Sequence, residues 1–332
     1  MSEFSPQSAY STGFVGCRRD PAADERLSDH VTRFGGDPNG GNVAYEWGME
    51  NVGAGKLTTL FATVESVFPG CLPGPSQLWG DCVSWGCSRA LLATLAAEIY
   101  DSRVDEVTGI IEGAPELPAE GIKNSVIAAE SLFAWRGFSS DGWVCSEAAQ
   151  VACQQGFLIR KPYPKLEIDL TNYTKSTIRL GGATPPGGDW LAESKQYVAR
   201  TATFLKGREQ VRDFLASGYG VFNCSGLGFE STRDENGVSR QRGSWAHSQA
   251  FLGYDDRPET IRKYGQALVH WQNSWASFNS GPREVMGTTL LIPNGSYWAL
   301  AETIDRCQCI ALSSVAGWPR RRLATYGAMG NV

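Results

Sequence analysis

Gln77-Leu78-Trp79-Gly80-Asp81-Cys82 runs directly into residues 83–100, a nearly continuous apolar stretch that carries charge only at Arg89 and Glu98. A helix that is apolar all round belongs inside a core, so this stretch predicts a buried helix with Cys82 at its entrance. A thiol in that position faces the positive end of the helix macrodipole and the first unpaired amides. With an imidazolium nearby, such a position lowers a thiol pKa from about 8.5 to roughly 3.5–7.5, which predicts a thiolate at neutral pH. The competing reading of Cys82 is a buried structural cysteine, the usual fate of this residue type.

A thiol nucleophile needs a base to take its proton, and the base needs a third group to hold its ring in one tautomer. His247 heads an alternating run that closes at Gly253 and Tyr254, so its ring is expected to project from a strand edge into a cleft. A second strand-like run, 267–272, leads into Asn273-Ser274-Trp275. Asn273 is placed to hold the imidazole, and Trp275 to cover that hydrogen bond from water. The competing readings are a core or surface histidine and a turn asparagine closing a strand. His270 sits inside the second run and is expected to be structural, and His30, in a poorly patterned region, is expected at the surface.

The chain order Gln, Cys, His, Asn, the Gly253-Tyr254 pair after the histidine and the Asn-Ser-Trp run together resemble the papain-like cysteine peptidases. The resemblance covers roughly residues 66–312 and suits a divergent member of bacterial or viral type. It implies an α+β, two-lobed fold, with a helical lobe carrying the cysteine and a β-barrel-like lobe carrying the histidine and asparagine. It also implies that Gln77 and the Cys82 amide bind the oxyanion, where one donor is typically worth about 2.7–4 kcal/mol. Asp141-Gly142-Trp143 corresponds to the family's Gly-Gly-Tyr turn, so Gly142 would offer its backbone to a substrate strand and Trp143 would wall an apolar pocket. Three departures stand out. Gln77 lies five residues before Cys82 where the family has six, Val83 replaces the usual tryptophan, and Trp79 and Ser139 stand where the family's disulfide partners would lie.

The chain has 332 residues, 42% hydrophobic and 20% charged, enough for one large domain or two lobes sharing a cleft. A net charge of −5 gives no electrostatic case for nucleic acid. The basic run Arg320-Arg321-Arg322 reads as a solvated tail. No stretch is long and apolar enough to predict a membrane span, and the polar first twenty residues predict no secretory signal. Nine cysteines make an odd count that does not read as a disulfide framework, and a reducing compartment such as cytoplasm is expected. Cys145 and Cys153, eight apart on one predicted helix, are about 12 Å apart and cannot bridge. Cys307 and Cys309 are expected on opposite faces of a strand. With no Cys-x-x-Cys pair and three histidines, no metal or cofactor is predicted.

The expected organisation is an N-terminal extension over 1–65, propeptide-like or an assembly contact, then a helical lobe over 66–165 and a β-rich lobe with a tail over 166–332. Helices are predicted over 83–100, over 122–136 closed by Gly137, over 146–156 with Ser146 as cap and Gly156 as stop, and over 208–217. Strands are predicted over 221–224, 249–254, 267–272, 288–292 and 309–312. Helices first and strands second give an α+β class.

The function expected is a thiol hydrolase acting on a peptide or protein. One alternative is a binding module of the same fold with reduced or lost activity, in a phage or virus particle whose partners clamp the chain ends. It draws on the shifted Gln77, on Val83 and on the long extra segments. Another is a peptidoglycan or isopeptide hydrolase using the same three residues. A rival nucleophile is Cys224 in Asn223-Cys224-Ser225-Gly226, which resembles the nucleophile of cell-wall endopeptidases but ends a strand-like run instead of opening a helix.

Overall fold

The computed structural model describes residues 16–33, 49–103, 117–181, 184–276 and 278–313, with backbone alone at 28–33 and 102–103. The His30 side chain, the glycine-rich run 35–41, the Arg320 to Arg322 run and both chain ends therefore lie outside the described residues.

Among the described residues eleven strands occur in chain order: β1 (Cys17–Arg18), β2 (Leu57–Thr59), β3 (Trp143–Val144), β4 (Pro162–Tyr163), β5 (Ile168–Asp169), β6 (Ala202–Leu205), β7 (Val221–Ser225), β8 (His247–Asp255), β9 (Leu268–Gln272), β10 (Ser296–Leu300) and β11 (Gln308–Leu312). Seven of them form one antiparallel sheet in the order β10-β9-β8-β7-β11-β6, with β2 also on β8. The nine-residue β8 is its backbone. Its first half pairs with β7, with Ser225 opposite His247, and its far end pairs with β2, with Thr59 opposite Gly253. Residues 57–65, assigned to the N-terminal extension by sequence, thus add a strand to this sheet and begin the Leu60–Val67 helix, which packs on the core.

Every residue of β8 is buried, because helices cover the sheet and its alternate faces both turn inward. The covering helix is Cys82–Arg103, whose side chains from Cys82 to Ile99 are buried on all sides. It lies against β7 and β8 so closely that a Cβ on Gly86 would strike the Ser248 hydroxyl, and one on Gly220 the Ala90 carbonyl. Thr94 pins the other end of the packing, donating to the Leu312 carbonyl at 2.8 Å and accepting from the Gly220 amide at 2.9 Å. None of the helices in the described residues is long and apolar enough to cross a membrane.

Three predicted elements are corrected. The helix expected over 122–136 is two short ones, Ala119–Lys123 and Ala129–Phe133, separated by Ser125 and Val126 in the left-handed region. The third helix, Cys145–Gln154, has no side-chain cap, and Ser146 lies inside it, donating to Asp24 at 2.6 Å. Residues 288–292 form no strand beyond a single bridge at Leu291, which is half-exposed; the strand there is β10, where Tyr297 and Trp298 are buried.

Candidate active site

Cys82 is the first residue of the buried helix, and the Asp81 carbonyl accepts the first turn's bond from the Trp85 amide at 3.1 Å. The preceding loop is fastened at several points. Gln77 exchanges two bonds with Ser274: its amide donates to the Ser274 carbonyl at 2.8 Å, and its side-chain Oε1 accepts from Ser274 Oγ at 2.8 Å. Leu78 donates to the Tyr173 hydroxyl at 3.1 Å, and Gly80 accepts from the Gly142 amide at 2.8 Å. Gln77 is thereby brought beside the Asn273 turn. Its side-chain nitrogen, however, donates to the Trp79 carbonyl, a partner the expected oxyanion role does not include.

His247 opens β8 and Asn273 follows β9, so the sheet register brings the two together: His247 Nε2 lies 3.0 Å from Asn273 Oδ1. The asparagine cannot be turned round. Its Nδ2 donates to Asn279 Oδ1 at 3.2 Å, while its Oδ1 also accepts from the Ser274 amide at 2.7 Å. An oxygen facing Nε2 requires the proton on Nε2, which leaves Nδ1 as the basic nitrogen. Nδ1 is buried and has no hydrogen-bond partner. Trp275 stacks on the imidazole, ring centroids 4.2 Å apart and 25° from parallel, and Trp245 meets Trp275 edge-on at 4.9 Å. The Cys82 sulfur takes a bond from the backbone amide of Ser248, the residue after His247, so thiol and imidazole flank one peptide group. Ser274, which helps fix this tautomer through its backbone amide, lies in the Asn-Ser-Trp run, whereas Asn279 has no signal in the sequence beyond proximity to Asn273.

The predicted thiolate is not what this arrangement favours. Burial pushes the Cys82 thiol well up, with Cys17 and Asp81 adding to the shift against the opposing amides of Ser248 and Val83. Burial likewise holds His247 down at about 4, against the bond from Asn273. Cys82, His247, Asn273 and Gln77 are each at most 1% exposed, where an open cleft had been expected. Gln77 and Asn273 are enclosed by their own partners, and the chain's N-terminal segment lies across the Cys82 and His247 side of the site. Gly16 and Cys17 both donate to the Ala246 carbonyl, at 2.9 and 3.1 Å, and the Trp143 amide donates to the Gly16 carbonyl at 3.1 Å. β1 therefore lies between Ala246 on one wall and β3 on the other, parallel to β3 with Cys17 opposite Trp143. The Cys17 thiol points at the carbonyls of His247 and Ser225, at 3.5 and 3.7 Å. Arg18 closes the end, donating to the Asp141 carbonyl at 2.7 Å and lying over Phe138.

Gly142 takes a positive φ of 80°, but its amide serves Gly80, and the strand in the groove is met by the amide of Trp143 instead. Trp143 is 1% exposed beside it.

The cysteines need correction too. Cys145 and Cys224 are disulfide-bonded, with α-carbons 6.4 Å apart, joining the start of the 145–154 helix to β7. Their separation of 79 residues hid the pair, and Cys224 is not a free thiol. Cys307 and Cys309 do not face opposite ways, since positions two apart on a strand share a face; Cys307 closes a 3-10 turn just before β11, and its thiol donates to the Thr303 carbonyl at 3.2 Å. His270 bonds Ser296 Oγ at 2.9 Å and packs on Phe61, apart from Cys82. Among the described residues no three His, Cys, Asp or Glu side chains converge as a metal site.

No family model matches the sequence, and no curated protein matches it. Among solved structures the chain is similar to xylellain, a cysteine protease from Xylella fastidiosa, at 13% identity and a TM-score of 0.43, covering 77% of this chain and 90% of that one. It is also similar to the proform of the ragweed pollen cysteine protease Amb a 11, at 12% identity and a TM-score of 0.42, covering 88% and 74%. A third is the Carica candamarcensis cysteine protease CMS1MS2 in complex with E-64, at 10% identity and a TM-score of 0.42, covering 78% and 98%.

Proposed function

We propose that this chain is a papain-type thiol peptidase held closed by its own N-terminal segment. The observation that carries the reading is the forced tautomer of His247: Asn273, locked by Ser274 and Asn279, leaves a buried, unpartnered Nδ1 on the residue whose neighbour bonds the Cys82 sulfur. In the opened groove Nδ1 takes the thiol proton as Cys82 attacks a peptide carbonyl, and Asn273 Oδ1 stabilises the imidazolium that forms. The imidazolium returns the proton to the leaving amine, and water then hydrolyses the thioester with His247 as base. The Cys82 amide and the second N–H of Gln77 are the donors for the oxyanion. Water admitted by departure of residues 16–18 lowers the desolvation that now keeps both groups neutral.

A second reading, a binding module of the same shape without activity, draws on the Gln77 donor spent on Trp79 and on the sealed thiol. Opening the groove separates the two. Cys17→Arg puts a long cation where a small thiol sits between two carbonyls, so β1 cannot seat. Hydrolysis of a fluorogenic peptide mixture is expected to rise about tenfold or more over the unaltered chain, as for an enzyme released from a covering segment. Adding Cys82→Ala returns it to background. A folded Cys17→Arg protein that hydrolyses no peptide leaves the binding module.

A further inference from the structure

Tyr173 belongs to none of the chemistry above, yet it touches both ends of the loop that carries it. Its hydroxyl accepts from the Leu78 amide at 3.1 Å and donates to Asp81 Oδ2 at 2.7 Å. Leu78 follows the candidate oxyanion donor Gln77, and Asp81 precedes the nucleophile Cys82. Tyr173 itself comes from a distant segment and is fixed there. Its ring meets Trp85 edge-on at 4.9 Å, and its amide donates to Asn124 Oδ1 at 3.2 Å.

Asp81 is fully buried, and its second oxygen has no partner. A carboxylate with one donor is poorly satisfied in such a place, whereas the neutral acid is far less so. The groups facing it do not reverse this. They are the Tyr173 phenol, the Cys82 thiol, Glu130 in a bidentate pair with Arg160, and Arg136; Asp141 reaches the same loop through Gly80. Burial pushes Asp81 up to about 8, the Tyr173 bond opposing and Glu130 adding. A charge there would stand beside the thiolate and the oxyanion, both negative.

We propose that Tyr173 and Asp81 are positioning residues for the active-site loop: one hydroxyl, bridging the Leu78 amide and the Asp81 carboxyl, sets Gln77 against Cys82, and the carboxyl serves in its neutral form. This rests on the peptidase reading, and its consequence is a loss of activity at alkaline pH as Asp81 ionises.

The test uses the full chain carrying Cys17→Arg. Tyr173→Phe keeps the ring and removes the bridge. It is expected to lower kcat about tenfold with KM within about twofold, because a misplaced oxyanion donor acts on the transition state. Hydrogen exchange at the Leu78 amide should rise about tenfold, with the 82–103 helix amides unchanged. Asp81→Asn retains an acceptor for the phenol but cannot ionise, so it should keep the parent's kcat at pH 6.5 and abolish the fall above pH 8. Unchanged kcat and Leu78 exchange in Tyr173→Phe overturn the proposal, as does an Asp81→Asn protein with the same alkaline fall. If the parent hydrolyses no peptide, the peptidase reading fails separately. Faster Leu78 exchange then still upholds the bridge, and unchanged exchange overturns it.

Discussion

His247 ties the site to the stability of the chain. Its folded pKa, held at about 4 by burial, lies below the ordinary 6.5. The unfolded chain therefore takes up a proton below pH 6.5 that the folded chain refuses until about 4. The stability this group contributes is present above pH 6.5 and is lost as pH falls through that window. His270, held at about 3 by burial, acts in the same direction. Asp81, held up at about 8 by burial, acts the other way over the same window, so the imidazoles are read by difference. The change in thermal midpoint from pH 6.5 to 4 should be less unfavourable in His270→Gln than in the unaltered chain, and less unfavourable again when Cys17→Arg admits water to His247. The same change in all three proteins would contradict the buried neutral imidazoles. His247, Asn273 and Trp275 were legible because strand alternation and a short turn fix where their side chains go. The state of Cys82 was not. Helix-entry position favours a thiolate, but burial outweighs it, and two of the groups that meet Cys82, Cys17 and Ser248, lie more than sixty positions away in the chain.

Among the elements, the break at Ser125 and Val126 shows tertiary pairing overriding local helix preference. Ile127 pairs with Ile159 in a single antiparallel bridge: the Arg160 amide donates to the Val126 carbonyl at 2.7 Å and the Ala128 amide to the Leu158 carbonyl at 2.9 Å. This bridge brings together the buried Glu130–Arg160 ion pair, which a continuous helix could not satisfy in the same way. Single-residue patterns over 122–136 carry no sign of this, because the partner lies thirty residues on. Ser125 bears the conformational cost, with φ at 82° and a buried hydroxyl that has no partner. Ser125→Gly removes both penalties, and urea unfolding should show a gain of about 1 kcal/mol despite the freer unfolded chain. A loss of stability would mean that the turn is not held in the left-handed region. β8, β9 and the 82–103 helix were readable for the opposite reason, since each has a burial pattern set by its own residues.

At the scale of the whole molecule, the helix bearing Cys82, the sheet bearing His247 and Asn273, and the β1 segment across them form one closed arrangement. Cys17, Cys153 and Cys307 are the partly exposed free thiols of the described residues, whereas Cys82 is buried. Ordinary accessibility therefore predicts that Cys82 reacts last, and a catalytic thiol predicts the reverse once the groove is open. The most direct measurement is peptide mapping after a limited pulse of an epoxysuccinyl probe at mildly acidic pH, comparing the unaltered chain with Cys17→Arg. Little labelling of the unaltered chain is expected, a single adduct on Cys82 in Cys17→Arg, and none when Cys82→Ala is added. Labelling of Cys153 or Cys307 in the opened protein, with Cys82 untouched, would contradict it.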